Sequence, residues 1–162
     1  MEPAELELRT IRAEDDARLS HLIRSVMEEF GVCGEGTSAA DAEIDAMFAA
    51  YSLPRHSFYV WAHENAILGG AGIGPLAGSD DKTCELRKMY LHPSIRGQGK
   101  GHQLLAKCLD AAREYGFERC YLETMSQMEA ARKLYLRFGF VECEKPMGET
   151  GHRCHRWMIR TL

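Results

Sequence analysis

A strand, a glycine-rich turn and an amphipathic helix follow one another in the middle of the chain, and this run constrains the fold most. Cys84–His92 is predicted as a strand that ends at Pro93, and Gly99–Tyr115 as a helix. A second predicted strand, Arg119–Thr124, follows that helix. Because a crossover helix joins parallel strands, we expect these two strands to run parallel in one sheet. The predicted buried stripe of the helix consists of Leu104, Leu105, Cys108, Leu109 and Ala112.

The elements predicted on either side complete one α/β (α+β) domain over residues 1–162. Apolar–polar alternation predicts the other strands, Leu6–Arg12, Ser57–His63, Ala66–Ile73, Phe140–Glu144 and Cys154–Arg160. Helical spacing predicts the helices Glu14–Phe30, Asp41–Tyr51 and Gln127–Phe138, the last with a capping box of Ser126 and Glu129. The expected architecture is a mixed twisted sheet of about seven strands flanked by about four helices.

Composition and charge exclude several classes of function. The chain of 162 residues has a net charge of −4 and no cluster of Lys and Arg, so we expect no nucleic-acid partner. No apolar run approaches the roughly 18 residues of a membrane span. The six cysteines lie far apart without a CxxC pair, which is typical of free thiols in a reducing compartment. We therefore expect a cytoplasmic protein, either a monomer or a homodimer.

The turn between the central strand and helix is suited to binding a pyrophosphate. Three alternating glycines, Gly97, Gly99 and Gly101, let an anion approach backbone N–H groups at a helix N-terminus, and Arg96 adds a charged donor. A P-loop reading fails because Ser94 replaces its first glycine and Gly101 follows the lysine. A dinucleotide fingerprint would require a small residue where His102 stands. The pattern that fits is Arg/Gln-x-x-Gly-x-Gly/Ala.

This loop resembles the coenzyme A loop of the GCN5-related N-acetyltransferase (GNAT) superfamily. The resemblance continues through Tyr121-Leu122-Glu123-Thr124 and through Leu134-Tyr135-Leu136-Arg137-Phe138-Gly139-Phe140. It implies acetyl-CoA as co-substrate, without a metal. It also implies a splay between strands 84–92 and 119–124 that admits the pantetheine arm.

The resemblance assigns the coenzyme-binding residues. The backbone of Met89, Tyr90 and Leu91 would pair with the pantetheine arm, while Arg96, Gly97, Gln98, Gly99, Lys100 and Gly101 would hold the pyrophosphate. Met128 and Ala131, on the face of the last helix that carries Tyr135, would also border the coenzyme. Many family members have an asparagine at the position of Met128. Methionine cannot donate or accept that amide hydrogen bond, so we expect this contact to be weaker or replaced.

Acetyl transfer to an amine by direct attack needs a base for the amine proton and an acid for the departing thiolate. By the resemblance, Tyr135 is the acid, because a phenol with a reference pKa of about 10 is protonated at neutral pH. Two carboxylates, Glu85 and Glu123, are alternative bases, and Glu85 ranks slightly first. The expected function is an N-acetyltransferase for a primary amine, of a small molecule or of a protein. The alternative is a non-catalytic acyl-CoA-binding module of the same fold.

Three further patterns bear on chemistry. Cys84 and Cys120 could support a ping-pong route, but small apolar strand residues are the better interpretation. The donors Cys143, His152, Cys154 and His155 match no common zinc spacing, so no metal is predicted. Six acids between Glu28 and Asp45, without Lys or Arg, could favour a cationic acceptor if they border its site.

Overall fold

The computed structural model describes residues 5–31, 42–151 and 156–162. The strands are β1 Glu7–Thr10, β2 Ser57–His63, β3 Ala66–Pro75, β4 Thr83–Leu91, β5 Arg119–Thr124, β6 Val141–Cys143 and β7 Arg156–Thr161. The α-helices are α1 Asp16–Glu29, α2 Met47–Ala50, α3 Lys100–Glu114 and α4 Glu129–Arg137. Short 3-10 helices occupy Ala13–Asp15, Ala42–Ala46 and Pro93–Ile95. No helix in these described ranges is long and apolar enough to cross a membrane.

The seven strands form one mixed sheet in the order β1-β2-β3-β4-β5-β7-β6. The neighbours pair antiparallel except β4 and β5, which pair parallel and are joined by α3, as the crossover predicted. Parallel pairing is confined to three positions, from Thr83↔Arg119 to Glu85↔Tyr121. Beyond them the two strands continue without pairing to each other. The predicted fold class and the predicted splay are therefore confirmed.

Each face of the sheet is covered by its own hydrophobic core. On one face, α1 and the segment 42–50 pack on β2 and β3 through residues such as Ile23, Met27 and Phe58. On the other face, α3 and α4 pack on the strands, and the whole predicted stripe of α3 is buried. Alternation along β2 explains the division, because Phe58 faces the first core and Trp61 the second.

The glycine-rich strand β3 lets an aromatic ring lie flat on the sheet. A Cβ placed on Gly72 would come within 2.4 Å of the Phe58 ring, and one on Gly70 within 2.7 Å. Contacts this short do not occur between real atoms, so the ring can pack here only because both residues lack a side chain. Gly72 therefore serves packing between β2 and β3.

The segment 42–50 differs from the single predicted helix Asp41–Tyr51. Asp41 lies outside the described residues, and the remainder divides into a 3-10 helix and the short α2, with Ala46 in a non-helical conformation between them. The break is stabilised by Asp16, whose carboxylate accepts a hydrogen bond from the Phe48 N–H at 2.8 Å. Phe48, at the start of α2, is 38% exposed.

The capping box predicted at Ser126 is wrong. Helix α4 begins at Glu129 with Met128 as its N-cap, and no side chain caps it. Met128 N–H instead bonds to the Met125 carbonyl, so residues 125–128 form a turn before the helix. At the other end of the chain, Arg9 and the Arg12 N–H hold the buried Asp15, and the first turn before α1 is consequently a 3-10 turn rather than α-helix.

Candidate active site at the splay between two strands

The glycine turn leads from the end of β4 into the N-terminus of α3. Gly97 and Gly99 have φ of 71° and 77°, in the left-handed region where glycine is favoured. No atom lies within 4 Å of a Cβ built on either residue, so both face open space. The first N–H groups of α3 have no partner within the helix, and the helix dipole is positive at this end. The turn is thus a ready-made anion cradle.

Arg96 is engaged with the protein itself. Its Nε donates to the Leu91 carbonyl at 3.0 Å, and its two terminal nitrogens lie 2.6 and 2.8 Å from the carboxylate of Glu29 at the end of α1. The hydrogen bond from Arg96 holds the pKa of Glu29 below its usual value. Arg96 therefore ties the cradle to the helix on the opposite face of the sheet.

The other predicted coenzyme residues lie on β4 after its pairing with β5 ends and in the turn that follows. Met89 and Leu91 face the core that contains α3 and α4, and Tyr90 faces the core that contains α1. Gly101 packs closely here, since a Cβ on it would lie 3.2–3.3 Å from side-chain atoms of Leu134, Leu91 and Met89. Gln98 and Lys100 turn to local partners: the Gln98 amide bonds to the Ser94 carbonyl, and the Lys100 ammonium lies 4.4 Å from the Trp61 ring centre.

Tyr135 lies on the α3 and α4 face of the sheet. It is 6% exposed, and its ring meets that of Phe140 edge-on at 5.9 Å. Burial raises the pKa of the Tyr135 phenol well above its usual value of 10, and the neighbouring Tyr90 adds to the rise. The phenol therefore keeps its proton at neutral pH. Ala131 packs against the same core, and Met128 is the N-cap of the helix that carries Tyr135.

A bulge in β4 reverses which side chains face which side. Gly70 pairs with Tyr90 but Gly72 pairs with Arg87, so Lys88 and Met89 together oppose one residue of β3. Lys88 has a φ of 51°, unusual for a residue with a side chain. Before the bulge the even-numbered residues face the α3 core, and after it the odd-numbered residues do. Arg87 and Lys88 consequently face the same side, that of α1 and α2.

A cavity of about 290 Å³ opens on that side of the sheet. Its wall is polar and consists of Ala42, Glu43, Ala77, Glu85, Arg87, Lys88, Glu149 and Thr150. The Arg87 Nε donates to Glu85 at 2.8 Å, and Lys88 forms an ion pair with Glu43. The segment before β7 closes the cavity, because the Glu149 N–H donates to the Ala77 carbonyl at 2.6 Å.

Glu123 also points to this side, because Cys120 and Leu122 alternate toward the α3 core. Its carboxylate accepts hydrogen bonds from the Tyr121 hydroxyl at 2.7 Å and from the Thr150 hydroxyl. Burial raises the pKa of the Tyr121 phenol well above 10, and the bond to Glu123 raises it further. The splay therefore separates a phenol on one face from two carboxylates, Glu85 and Glu123, on the other.

Comparison with known proteins decides the family. A model of the acetyltransferase (GNAT) family matches residues 21–140, well over half of the chain. The chain belongs to the GNAT acetyltransferase family. The N-acetyltransferase YjgM of Escherichia coli K12, itself uncharacterized, is 39% identical over 157 residues, covering 96% of this chain and 94% of YjgM.

Two further similarities are informative. The L-amino acid N-acyltransferase MnaT of Escherichia coli K12 is 28% identical, over 97% of this chain and 91% of MnaT. The structure of YncA from Salmonella typhimurium with its cofactor acetyl-CoA superposes with a TM-score of 0.77 at 21% identity, over 98% of this chain and 95% of YncA. The chain therefore has the GNAT fold and is an acetyltransferase by family, and acetyltransferases of this family use acetyl-CoA.

The two cysteines considered for a ping-pong route, Cys84 and Cys120, are poorly placed to act as nucleophiles in this GNAT domain. Cys84 and Cys120 are buried and pair across β4 and β5, on the face away from the cavity. A hydrogen bond with Cys84 and burial raise the pKa of the Cys120 thiol well above its usual value, so it stays protonated at neutral pH. Of the four possible zinc donors, the described part of the structure includes Cys143. His152, Cys154 and His155 lie outside the described residues. Within the described ranges no group of three or more His, Cys, Asp or Glu is arranged for a metal.

Three of the four described acids in the stretch from Glu28 to Asp45 form ion pairs. Glu29 pairs with Arg96 and Glu43 with Lys88. Arg24 lowers the pKa of Asp45 to about 2 through a bidentate pair. Only Glu43 of these lines the cavity. A general preference for cationic acceptors therefore finds little support in the surface charge.

Sequence reasoning overlooked Arg87, Lys88 and Thr150. A signal for the first two was present in the strand Cys-Glu-Leu-Arg-Lys-Met-Tyr-Leu, where the apolar positions switch from even to odd numbers at two adjacent cations. Such a change of phase in a period-2 pattern indicates a bulge. Thr150 gave no signal, because a loop residue far along the chain reaches Glu123 only through the fold.

The cradle generates a prediction that a matched variant controls. In Gly99→Val the new side chain enters the open space above the turn, so coenzyme A affinity should fall by at least about tenfold. Gly116 has a similar φ of 83° and equally open surroundings, but lies at the far end of α3. Gly116→Val should therefore carry the same backbone strain, on the order of 1–2 kcal/mol, and keep coenzyme affinity. Calorimetric titration of both folded variants with coenzyme A tests this, and equal affinities would remove the cradle from the coenzyme site.

Proposed function

We propose that this protein transfers the acetyl group of acetyl-CoA directly to a primary amine. The observation that carries the proposal is the splay itself. It opens beside the glycine cradle and joins the face that holds Tyr135 to the face that holds Glu85 and Glu123. A thioester lying in this gap would expose its sulfur to the phenol and its carbonyl to an amine arriving from the cavity.

Binding of the coenzyme would use mostly backbone groups. Between Leu86 and Leu91, β4 does not pair with β5, so this edge can receive an extended pantetheine arm as a strand receives a partner. The N–H groups from Gly97 to Gly101 would hold the pyrophosphate. Arg96, tied to Glu29, would act mainly by fixing the cradle. Met128 and Ala131 would offer apolar contact from α4.

Glu85 is the better placed of the two possible bases. It lines the cavity, is almost fully buried, and is oriented by the Arg87 Nε. Each carboxylate oxygen of Glu123 already accepts a hydrogen bond within the protein, one from the Tyr121 hydroxyl and the other from the Thr150 hydroxyl. Glu85 would accept the amine proton directly or through a water molecule, after which the neutral amine attacks the acetyl carbonyl.

Tyr135 would complete the reaction on the other face. Its phenol is protonated at neutral pH and can donate a hydrogen bond, and then a proton, to the thiolate as it leaves. The surrounding core excludes water, which strengthens that interaction. The product amide would then leave through the cavity from which the amine came.

A panel of amines tests the proposed function. Purified protein is incubated with acetyl-CoA and with small amines, amino acids and a lysine peptide, and products are detected by mass. The name of the relative MnaT, an L-amino acid N-acyltransferase, makes amino acids a necessary part of the panel. We expect a product heavier by one acetyl group together with stoichiometric release of free thiol. Binding of acetyl-CoA without acetylation of any amine would contradict the proposal.

The choice of base is tested by two isosteric variants. Glu85→Gln should lower kcat/KM by roughly 10²–10⁴-fold, because the amide cannot accept the amine proton. Glu123→Gln, the matched control, should lose much less, since its role is to hold Thr150 and Tyr121. The reverse pattern would make Glu123 the base. Coenzyme A titration shows whether each variant retains its fold and cradle.

The role of Tyr135 is tested by Tyr135→Phe, which removes the hydroxyl and keeps the ring against Phe140. We expect nearly unchanged stability and coenzyme affinity, and a fall of roughly 10²-fold or more in the chemical step. Because slow product release can mask such a loss in the steady state, the comparison uses single-turnover measurements. A chemical step at the wild-type rate would reduce Tyr135 to a packing residue.

A further inference from the structure

The cavity beside the splay carries charges of both signs. Two cations, Arg87 and Lys88, and three acids, Glu43, Glu85 and Glu149, line it, so its formal charge is +2 − 3 = −1. The two cations are adjacent in sequence, and in a regular strand their side chains would face opposite sides of the sheet. The bulge at Lys88 and Met89 brings both into the cavity. The β-bulge therefore places a second cation, Lys88, in the cavity beside Arg87.

Burying the Lys88 side chain at this position costs free energy, and binding a ligand is a function that would explain why the cation is there. The Lys88 side chain is only 2% exposed, and its φ of 51° is unfavourable for a residue with a Cβ. A buried ammonium must be paired, and Glu43 supplies the pair. Glu43 itself is one-third exposed and belongs to the short 3-10 segment, whereas Lys88 is fixed in the middle of the sheet. The more exposed partner of the pair is thus the acid.

The chemistry of the lining selects among acceptors. An acceptor that is only a cation would meet Arg87 and Lys88 next to the base, and one that is only an anion would meet three carboxylates. A molecule that carries an ammonium group and a carboxylate close together satisfies both sets. The cavity, at about 290 Å³, lies at the small end of ligand sites, which fits a small molecule better than a folded protein surface.

We propose that the acceptor is a small amino acid whose carboxylate is bound by Lys88, with Arg87 beside it, while its amine is presented to Glu85. This inference rests on the proposed acetyl transfer and names the substrate class of that same site. Lys88 is then a specificity-determining residue, and Glu43 occupies its ammonium until the substrate carboxylate arrives. The α-carboxylate and a carboxylate further along a side chain share this chemistry.

The wild-type enzyme provides the first test without any variant. Each amino acid is compared with its decarboxylated amine and with its C-terminal amide, at equal acetyl-CoA. We expect kcat/KM for the free acid to exceed that for both analogues by at least about tenfold, the scale of one lost charge-assisted hydrogen bond. Decarboxylated amines acetylated as fast as the acids would overturn the inference and leave the proposed acetyl transfer standing. Failure to acetylate any amine would instead overturn the acetyl transfer.

Variants locate the carboxylate contact. Lys88→Gln should raise KM for the amino acid about tenfold or more while the decarboxylated amine loses little, which collapses the preference. Glu43→Gln removes the competing acid and should lower KM for the amino acid. Lys82→Gln removes an exposed lysine that immediately precedes β4 and is not among the residues lining the cavity, so it serves as the control for charge loss and should change neither value. An unchanged preference in a Lys88→Gln protein that still binds coenzyme A would show that Lys88 does not read the carboxylate.

Discussion

Parallel pairing between β4 and β5 stops after three residues, and the active site depends on this interruption. Where the ladder is intact, from Thr83 to Glu85, the sheet is a closed wall between two cores. Beyond Glu85, β4 remains paired with β3, and β5 remains paired with β7. The gap therefore lies between two strands that are each held in the sheet by their other neighbour. A wall that is rigid around an opening can position an extended cofactor with little reorganisation.

The bulge in β4 is the second feature on which the site depends, because it changes which side chains of the strand face each side of the sheet. Without it the alternation along β4 would place Lys88 among the apolar residues of the α3 core. With it, Met89 and Leu91 pack beside Gly101 and Leu134, and the cations face Glu43 and Glu85. One inserted residue therefore separates the apolar side chains proposed to border the coenzyme arm from the charged side chains proposed to border the acceptor.

Much of this architecture could be read from the sequence, because its signals are local. The strand, turn and helix from residue 84 to 115 are predicted by the spacing of their apolar residues, by the glycines of the turn and by Pro93. The crossover rule then predicts that β4 and β5 run parallel. The segment 42–50 was mispredicted because Asp16, thirty-two residues away, bonds to the Phe48 N–H and fixes the break. The hydrogen bond between Glu123 and Thr150 was not predicted because these two residues are also far apart in the sequence. Interactions between distant residues leave no trace in a local pattern.

The sheet also separates the two proton transfers of the proposed reaction. On one face the carboxylate of Glu85 is oriented by the Arg87 Nε and lines the cavity from which the amine would arrive. On the other face burial keeps the proton on Tyr135. If both groups shared one pocket, the carboxylate would hydrogen-bond to the phenol, as Glu123 does to Tyr121, and each would be weakened for its task. With Glu85 and Tyr135 on opposite faces, the two groups would be connected only through the thioester in the gap. One proton can then leave the amine and another reach the sulfur without a hydrogen bond between the carboxylate and the phenol.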